Sequence, residues 1–482
     1  MVDLSPMCSE LILTAFAVAI PAAYYATRSG KIASLVAMVG VGASMAWVLY
    51  FLASGVGSLV LEGGLFRMDA FAAVFKLVFL VVAFFVSLAS YRYVDGERHV
   101  AEYYTLILFA TVGMMIVASS LDLITLFVGI ELASISSYAL VGFRKRDRRG
   151  SEAATKYFVI GAVSSAIALY GISLLYGIAG STLFTAIGSA VAAAGGMDPV
   201  IFLAIGLLIA GFGFKVAIVP FHMWAPDVYE GAPTTITSLL AAGSKKMGFV
   251  ALFKVFLIGL IAVRSDWQVV TAIIAVVTMT LGNLIAISQT SIKRMLAYSS
   301  IAQAGYILIV LPIGTEYALA GGILHVITHA FMKGGAFVIV AALSHVALGE
   351  NLADYKGLAK RAPLMAFSML VLLFSLAGIP PLAGFWSKFV LFSSAVEVSI
   401  APSDNWLVWL AVAGVLNSAL SLYYYVRVIK YMYVEKGPTD RLKLPWTMVA
   451  AVLITVLATI LIGLMPNVVI DACQTAARAF FG

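Results

Sequence analysis

Basic side chains lie inside long apolar stretches of this sequence, where a charge is costly to hold. One charged side chain at the centre of a bilayer costs at least about 2.5–3.5 kcal/mol, so several of them indicate a path for protons or ions. A buried lysine can also gain and lose its proton near neutral pH, which suits a proton carrier. The basic residues within or near apolar stretches are Lys76, Lys156, Lys215, Lys245, Lys246, Lys254, Lys333, Lys388 and Arg427.

One triplet of titratable residues has the spacing of a helical face. His325, His329 and Lys333 follow one another at intervals of four residues, so they stack along one side of a helix. Neutral histidine can both donate and accept a proton, which makes the triplet a candidate relay between two half-channels. A structural hydrogen bond from one of them is an equally open interpretation. No acid or cysteine accompanies the triplet, so we expect no metal site.

Several of the buried charges have a simpler explanation. Lys156 follows Glu152 by four residues, so the two side chains could form an exposed ion pair at the membrane edge. Lys245 and Lys246 point about 100° apart on a helix, so we expect only one of them to face the interior. Among the acids, only Glu131 falls clearly in the middle of an apolar stretch. Side chains expected to extend toward lipid head groups are those of Lys76, Lys254 and Arg427.

Two apolar stretches are interrupted by glycine and proline beside a lysine. The first break contains Lys215 and ends at Pro220, and the second covers residues 378–384, with Lys388 four residues later. Proline removes a backbone donor and clashes with the preceding turn, so both helices should be discontinuous. Ordinary kinks with prolines facing lipid are the alternative, which the lysine beside each break disfavours.

The composition requires a membrane environment. The 482 residues are 62% hydrophobic and 11% charged, with a mean hydropathy of +1.05. A soluble protein of this composition would expose large apolar patches, and a spanning helix needs about 20 apolar residues. We therefore predict an all-α membrane protein of about fourteen transmembrane helices in one polytopic domain, residues 1–482. The predicted spans are 9–26, 32–53, 69–91, 102–120, 122–142, 152–177, 200–224, 234–260, 268–289, 295–313, 316–346, 363–397, 405–430 and 446–465.

The breaks fall in predicted spans 7 and 12, which are five spans apart. Paired broken helices in the two halves of a transporter indicate an inverted repeat with its site at the breaks. We therefore predict two inverted five-helix repeats with discontinuous helices 7 and 12. Spans 4–8 form the first repeat, at about 102–260, and spans 9–13 form the second, at about 268–430.

The remaining basic residues lie mostly in the odd-numbered loops between spans, as in the run from Arg144 to Arg149. By the positive-inside rule these loops face the cytoplasm and both termini face outside. The loop at 225–233 is an exception, because it contains Asp227 and Glu230 and no base. The net charge of +7 therefore orients the protein in the membrane, and no nucleic-acid partner is expected.

Motifs for cofactor binding are missing from the sequence. Cys8 and Cys473 have no metal or redox spacing, and no glycine-rich phosphate loop or nucleotide fingerprint appears. We expect no cofactor to be bound by this chain. Asp3 and Glu10 near the start, without a basic stretch, argue against a cleaved signal peptide.

Several motifs resemble those of a known family, the antiporter-like membrane subunits of respiratory complex I, which is related to multi-subunit sodium/proton antiporters. Phe-His-Met-Trp-Ala-Pro-Asp-Val-Tyr-Glu-Gly-Ala-Pro-Thr at 221–234 resembles the family's seventh-helix signature. Glu-Leu-Ala-Ser-Ile-Ser-Ser-Tyr-Ala-Leu-Val-Gly-Phe at 131–143 resembles the fifth helix of the N-type branch. The segments at 151–158 and 291–306 also agree, and the similarity covers nearly the whole chain.

The resemblance implies roles for matching residues. Glu131 and Lys215 would form the pair of helices 5 and 7, in which the carboxylate adjusts how tightly the lysine holds its proton. Lys245 would be the eighth-helix lysine, with Lys246 as an extra residue. Lys388 would be the twelfth-helix residue facing the exit, and a lysine there favours the N-type over the M-type branch. Lys156 matches a sixth-helix lysine of the family.

The resemblance also implies a function. The chain would be a proton-translocating, non-redox subunit of an NADH:quinone oxidoreductase-type translocase in a prokaryotic cytoplasmic membrane. Protons would move through a relay of buried Glu, Lys and His side chains, driven by quinone reduction in other subunits. Those partners, including sister antiporter-like subunits, would bind quinone, NADH or another donor, flavin and iron–sulfur clusters, and lipids would surround the chain. A subunit of a multi-subunit sodium/proton antiporter, a membrane-bound hydrogenase arm and a purely structural scaffold are the alternatives.

Overall fold

Long helices account for most of the computed structural model, which describes residues 3–194 and 198–482. Fourteen segments, numbered here in chain order, run through the bundle. Segments 1 to 6 are Cys8–Thr27, Gly30–Ala53, Ala70–Tyr93, Val100–Ser119, Leu123–Val141 and Arg148–Ala179. Segment 7 is Pro199–Val216, continued by the short helix Trp224–Gly231, and segment 8 consists of Thr234–Leu239, Leu240–Ser244, Lys245–Lys254 and Val255–Gly259. Segments 9 to 14 are Arg264–Ser288, Ile292–Leu308 with Val310–Ile313, Glu316–His345, Pro363–Ala377 with Ala383–Val398, Val408–Tyr433 and Trp446–Leu464.

The predicted number of transmembrane helices agrees with this arrangement. Within the described ranges, twelve helices are individually long and apolar enough to cross a membrane. Segments 8 and 12 are not among the twelve because each is divided into shorter helices: Leu240–Ser244 and Val255–Gly259 are π-helical, and residues 378–382 separate the two halves of segment 12. With these two segments the bundle has fourteen, and segments 7 and 12 are discontinuous as predicted. The division into two inverted repeats stays a prediction.

Contacts between loops show that the segments alternate in direction. Ion pairs join odd-numbered loops and the segment ends beside them at one end of the bundle. Other ion pairs join even-numbered loops, the segment ends beside them and the C-terminal tail at the opposite end. At the odd-loop end the pairs are Arg144–Glu97 at 2.9 Å, Arg294–Asp227 at 2.9 Å, Lys293–Glu350 at 2.5 Å and Arg361–Asp440 at 3.2 Å. At the even-loop end the pairs are Arg264–Asp404 at 3.5 Å and Arg478–Glu316 at 3.0 Å.

Three elements at the even-loop end were not predicted from the sequence. A short antiparallel hairpin pairs Ser58–Val60 with Arg67–Asp69, and the helix Phe184–Ala193 lies in the loop after segment 6. The helix Pro466–Phe481 follows segment 14 and packs on segments 3 and 11. Its buried residues, Cys473, Ala476, Ala477 and Phe480, recur at helical spacing, so the sequence did contain a signal for it.

The prediction that Lys76 and Lys254 extend toward lipid head groups is wrong. Lys76 is fully buried, and its ammonium lies 2.8 Å from a carboxylate oxygen of Glu10. Lys254 is 5% exposed and donates to the backbone carbonyls of Ala118 and Ser120, at 2.6 and 2.7 Å. These carbonyls lie at the end of segment 4 and have no partner within that helix, so the lysine satisfies them.

Arg427, like Lys254, bonds the carbonyl groups at the end of a helix, but at the opposite end of the bundle. Its guanidinium donates to the carbonyls of Ile287 and Gln289, at 2.7 and 2.6 Å. Segment 9 ends at Ser288, so Arg427 joins segment 13 to the last turn of segment 9. A cation near a helix C-terminus is stabilised by the helix dipole. Arg427 therefore has a structural explanation that requires no role in proton transfer.

Candidate functional site

The break in segment 7 places Lys215 in the last turn of a buried helix. The helix ends at Val216, and Ala217 takes a left-handed conformation with φ of 53°. The indole of Trp224 donates to the carbonyl of Phe214 at 2.9 Å, which satisfies a group that a continuous helix would have bonded internally. The Lys215 side chain is 6% exposed and points toward segment 5. The break therefore exposes a helix C-terminus to a buried cation, a favourable arrangement.

Glu131 lies close to Lys215, as the resemblance implied. A carboxylate oxygen of Glu131 is 3.8 Å from the Lys215 ammonium. The ammonium also donates to the hydroxyls of Ser134 at 2.7 Å and Tyr138 at 3.3 Å, and Ser165 donates to Glu131 at 2.6 Å. Residues 131, 134 and 138 share one face of segment 5 at helical spacing, a pattern that could have revealed the two hydroxyls. The pair is thus held by hydroxyl groups on both sides.

Both lysines at the start of Lys245–Lys254 are buried, so the prediction that only one faces the interior is wrong. Each is 1% exposed, because other segments pack around segment 8 on all sides. Lys245 donates to the carbonyl of Ser300 at 2.9 Å and approaches its hydroxyl at 3.4 Å. Lys246 makes no hydrogen bond to any described residue. The π-helical turn at 240–244 immediately precedes them, and such turns are frequent at functional sites.

The helical face of segment 11 lies at the centre of the bundle. Lys333, His329 and His325 are all fully buried. Lys333 donates to the hydroxyl of Ser299 at 2.7 Å, and Ser299 in turn contacts the phenol of Tyr425.

The two histidines differ in their partners. The rings of His325 and His329 are 6.1 Å apart. His325 is hydrogen-bonded to Ser387 at 3.0 Å and to the amide oxygen of Gln303 at 2.9 Å. Neither ring nitrogen of His329 has a partner among the described residues. A structural hydrogen-bonding role therefore fits His325, whereas His329 keeps both nitrogens available for proton exchange.

The break in segment 12 places Lys388 against freed backbone carbonyls. Segment 12 is interrupted after Ala377, and Gly378 has φ of 91°, a conformation that favours glycine. The Lys388 ammonium donates to the carbonyls of Leu376 at 2.8 Å and Ala377 at 3.2 Å, and to the hydroxyl of Ser418 at 2.8 Å. It also lies 4.9 Å from the ring centre of Tyr306. Lys215 and Lys388 thus occupy comparable positions beside the two breaks, as predicted.

Lys156 is not part of this buried row. Its side chain is 43% exposed at the odd-loop end and lies 2.8 Å from both Glu152 and Asp227. Asp227 also pairs with Arg294. Burial alone would raise the pKa of Asp227, but its hydrogen bonds to Lys156 and Arg294 outweigh burial and hold that pKa below its ordinary value. These pairs explain the acidic loop at 225–233, because its carboxylates bind bases of the neighbouring loops.

Sequence reasoning missed the polar residues of segment 10. Ser299, Ser300 and Gln303 bond Lys333, Lys245 and His325 respectively, so this helix connects the lysine of segment 8 with the face of segment 11. Residues 299, 303 and 306 recur at helical spacing, a pattern that could have revealed this face.

The row of buried polar residues, called here the lysine row, comprises Glu131, Lys215, Lys245, Lys246, Lys333, His329, His325 and Lys388. Among the described residues, no group of three or more His, Cys, Asp or Glu side chains is placed to hold a metal ion.

Fourteen apolar segments around a row of buried cations, with two segments broken beside a lysine, define a polytopic membrane protein with a titratable interior. The chain belongs to the family described as NADH:quinone oxidoreductase/Mrp antiporter, transmembrane, which matches residues 120–421. The predicted family is therefore confirmed, and the chain is an antiporter-like integral membrane subunit of the complex I type.

Individual relatives agree with this assignment and with the N-type branch. The chain is 45% identical to F(420)H(2) dehydrogenase subunit N of Methanosarcina mazei over 99% of both proteins. It is 43% identical to NADH-quinone oxidoreductase subunit N 2 of Solibacter usitatus, over 86% of this chain and 83% of that protein. A chain of respiratory complex I from Thermus thermophilus has a similar structure, with a TM-score of 0.80, 31% identity and coverage of 96% of this chain and 98% of that one.

Proposed function

We propose that this chain carries protons across a prokaryotic cytoplasmic membrane as a non-redox subunit of a proton-translocating, quinone-reducing complex. The observation that supports this most strongly is the lysine row, which extends from Glu131 in segment 5 to Lys388 in segment 12. Holding several cations in a membrane interior is costly, so a function is needed to explain why they are retained. The basic residues of the odd loops support an orientation with the odd-loop end in the cytoplasm and both termini outside.

Each part of the lysine row has a task in this proposal. A proton enters from the odd-loop end near segments 7 and 8 and binds Lys215, whose charged form is favoured by Glu131. It then passes to Lys245, along Lys333 and His329 in segment 11, and on to Lys388. Hydroxyl groups such as that of Ser299 can accept one proton and release another, so they can connect lysines that do not touch.

The energy for transport must come from other subunits. Moving one charge against 100 mV requires about 2.3 kcal/mol, and this chain contains no recognisable redox motif that could supply it. Sister antiporter-like subunits and quinone-, flavin- and iron–sulfur-containing subunits are therefore the proposed partners. A change in the partner of Glu131 would weaken its hold on Lys215 and release the proton into the row.

Proton pumping by the assembled complex in liposomes, with its own electron donor and quinone, tests the proposal. We expect Lys245→Ala to lower the number of protons moved per electron, whereas Lys31→Ala, which removes an exposed lysine at the start of segment 2, should leave it unchanged. The measurement is made with and without sodium. An unchanged ratio for Lys245→Ala would contradict the relay, and pumping that requires sodium would support the antiporter alternative.

A further inference from the structure

Two cavities lie between Lys388 and the even-loop end, and one serine lines both of them. The first cavity, of about 580 Å³, is a groove between segments 12 and 13 that opens at the apolar outer surface of the bundle, where Phe389 and Val415 are more than half exposed. Its polar lining consists of Lys388, Ser418 and Ser393. The second, of about 690 Å³, opens at the even-loop end. It is called here the outer vestibule, and its polar lining includes Glu316, Tyr317, Ser393, Glu397, Gln474 and Arg478. Both cavities are large enough to hold several water molecules.

Ser393 and Tyr317 form the contact between the two cavities. Their hydroxyl oxygens are 3.1 Å apart, and the Ser393 hydroxyl also donates to the carbonyl of Val390 at 3.0 Å. Ser393 follows Lys388 by five residues, which is a rise of about 7.5 Å along the helix. Water bound beside the Lys388 ammonium and the hydroxyls of Ser418 and Ser393 would cover that distance. Each hydroxyl can accept a proton on oxygen and release its own, so both are neutral hydroxyls again after a proton passes, and rotation of their O–H bonds restores the starting arrangement.

The outer vestibule contains a carboxylate that can receive the proton. Glu397 follows Ser393 by four residues and lies on the same face of Ala383–Val398. Its side chain is exposed, and no basic group of the described residues lies within 4 Å of it. Glu316, by contrast, is paired with Arg478 of the C-terminal helix at 3.0 Å. Glu397 is therefore the acceptor at the mouth of the vestibule.

We propose that protons leave this chain from Lys388 through the Ser393–Tyr317 hydroxyl pair to Glu397 in the outer vestibule. The proposal rests on the proposed function and assigns it an exit path. For each proton that leaves, Lys388 gives up one proton and becomes neutral, and Glu397 takes up one proton before releasing it to water. The hydroxyl pair is the narrowest point of the path.

Pumping by the assembled complex in liposomes tests the exit path with a double variant. Ser393→Ala combined with Tyr317→Phe removes both hydroxyls and keeps the apolar volume. We expect the protons moved per electron to fall to the value of Lys388→Ala. Ser394→Ala is the matched control, because Ser394 is buried and donates only to its own helix, at the carbonyl of Leu391. Native gels and the rate of electron transfer from the donor to quinone confirm assembly of each variant.

The outcomes separate the exit path from the proposed function. If Lys388→Ala lowers the ratio but the double variant keeps the parent value, the exit path is wrong and the proposed function stands. If Lys388→Ala itself leaves the ratio unchanged, the proposed function fails. Should the double variant not assemble, Glu397→Gln decides: a lowered ratio supports the path, and a parent ratio overturns it. Glu62→Gln, an exposed carboxylate of the hairpin loop, is its control.

Discussion

Replacing Glu131 by glutamine tests how the carboxylate acts on Lys215. The two charged groups are 3.8 Å apart, which corresponds to an attraction of about 4 kcal/mol at an effective dielectric constant of about 20 and about 1 kcal/mol in bulk water. Because the Glu131 side chain is 24% exposed and Lys215 is 6% exposed, the attraction between them should lie between these two energies. Every 1.4 kcal/mol is a factor of ten in an equilibrium constant, here the constant for proton binding by Lys215. Loss of the Glu131 charge weakens this proton binding, so the variant should lower pumping without disturbing the fold.

A double-mutant cycle shows whether Glu131 acts through Lys215 alone. Pumping per electron is measured for Glu131→Gln, Lys215→Met and the two combined, with Glu62→Gln as a control for the loss of a carboxylate. We expect the combined variant to match Lys215→Met, because the carboxylate has no further role once the lysine is gone. A further loss in the combined variant would refute this reasoning, as would parent-level pumping by Glu131→Gln.

Three further outcomes concern stability, measured by thermal unfolding of the complex in detergent. Lys76→Met leaves the buried carboxylate of Glu10 without its partner and should cost about 3–5 kcal/mol, whereas a small loss would mean that the pair is solvated. Asp227→Asn should lower stability at pH 7, with a difference that shrinks as acid protonates the parent carboxylate below about pH 4; a constant difference would contradict its lowered pKa. Gly384→Ala drives a Cβ into the backbone carbonyl oxygen of Ser375 and should destabilise the break by at least about 1–3 kcal/mol, whereas Gly177→Ala, which meets nothing within 4 Å, should not.

Much of the fold could be predicted because its signals are local. Each spanning helix needs a long apolar run, and glycine and proline mark breaks at the positions where segments 7 and 12 are interrupted. The hairpin at residues 58–69 gave no such signal, because strands of three residues are too short for an alternating pattern. The number of segments was therefore accessible from the sequence, while the structured loops at the even-loop end were not.

The candidate site was predictable only in part, because partners depend on packing between distant helices. Lys215 and Lys388 stand out by their breaks and Glu131 by its position within an apolar stretch, and the resemblance supplied the pairing of Glu131 with Lys215. Nothing local shows that Lys254 would satisfy the end of segment 4, 134 to 136 residues earlier in the chain. The burial of Lys246 likewise follows from segments that surround segment 8 on every side.

The central claim is that Lys215 and Lys388, one beside each break, carry protons. The most direct test is the number of protons moved per electron by the assembled complex in liposomes with Lys215→Ala or Lys388→Ala, at matched rates of electron transfer. The proposed relay predicts that each substitution lowers this number, and that both together lower it no further than the larger single effect, because the two residues act in series. Parent-level ratios for both single variants would contradict the relay and leave the lysines a structural role.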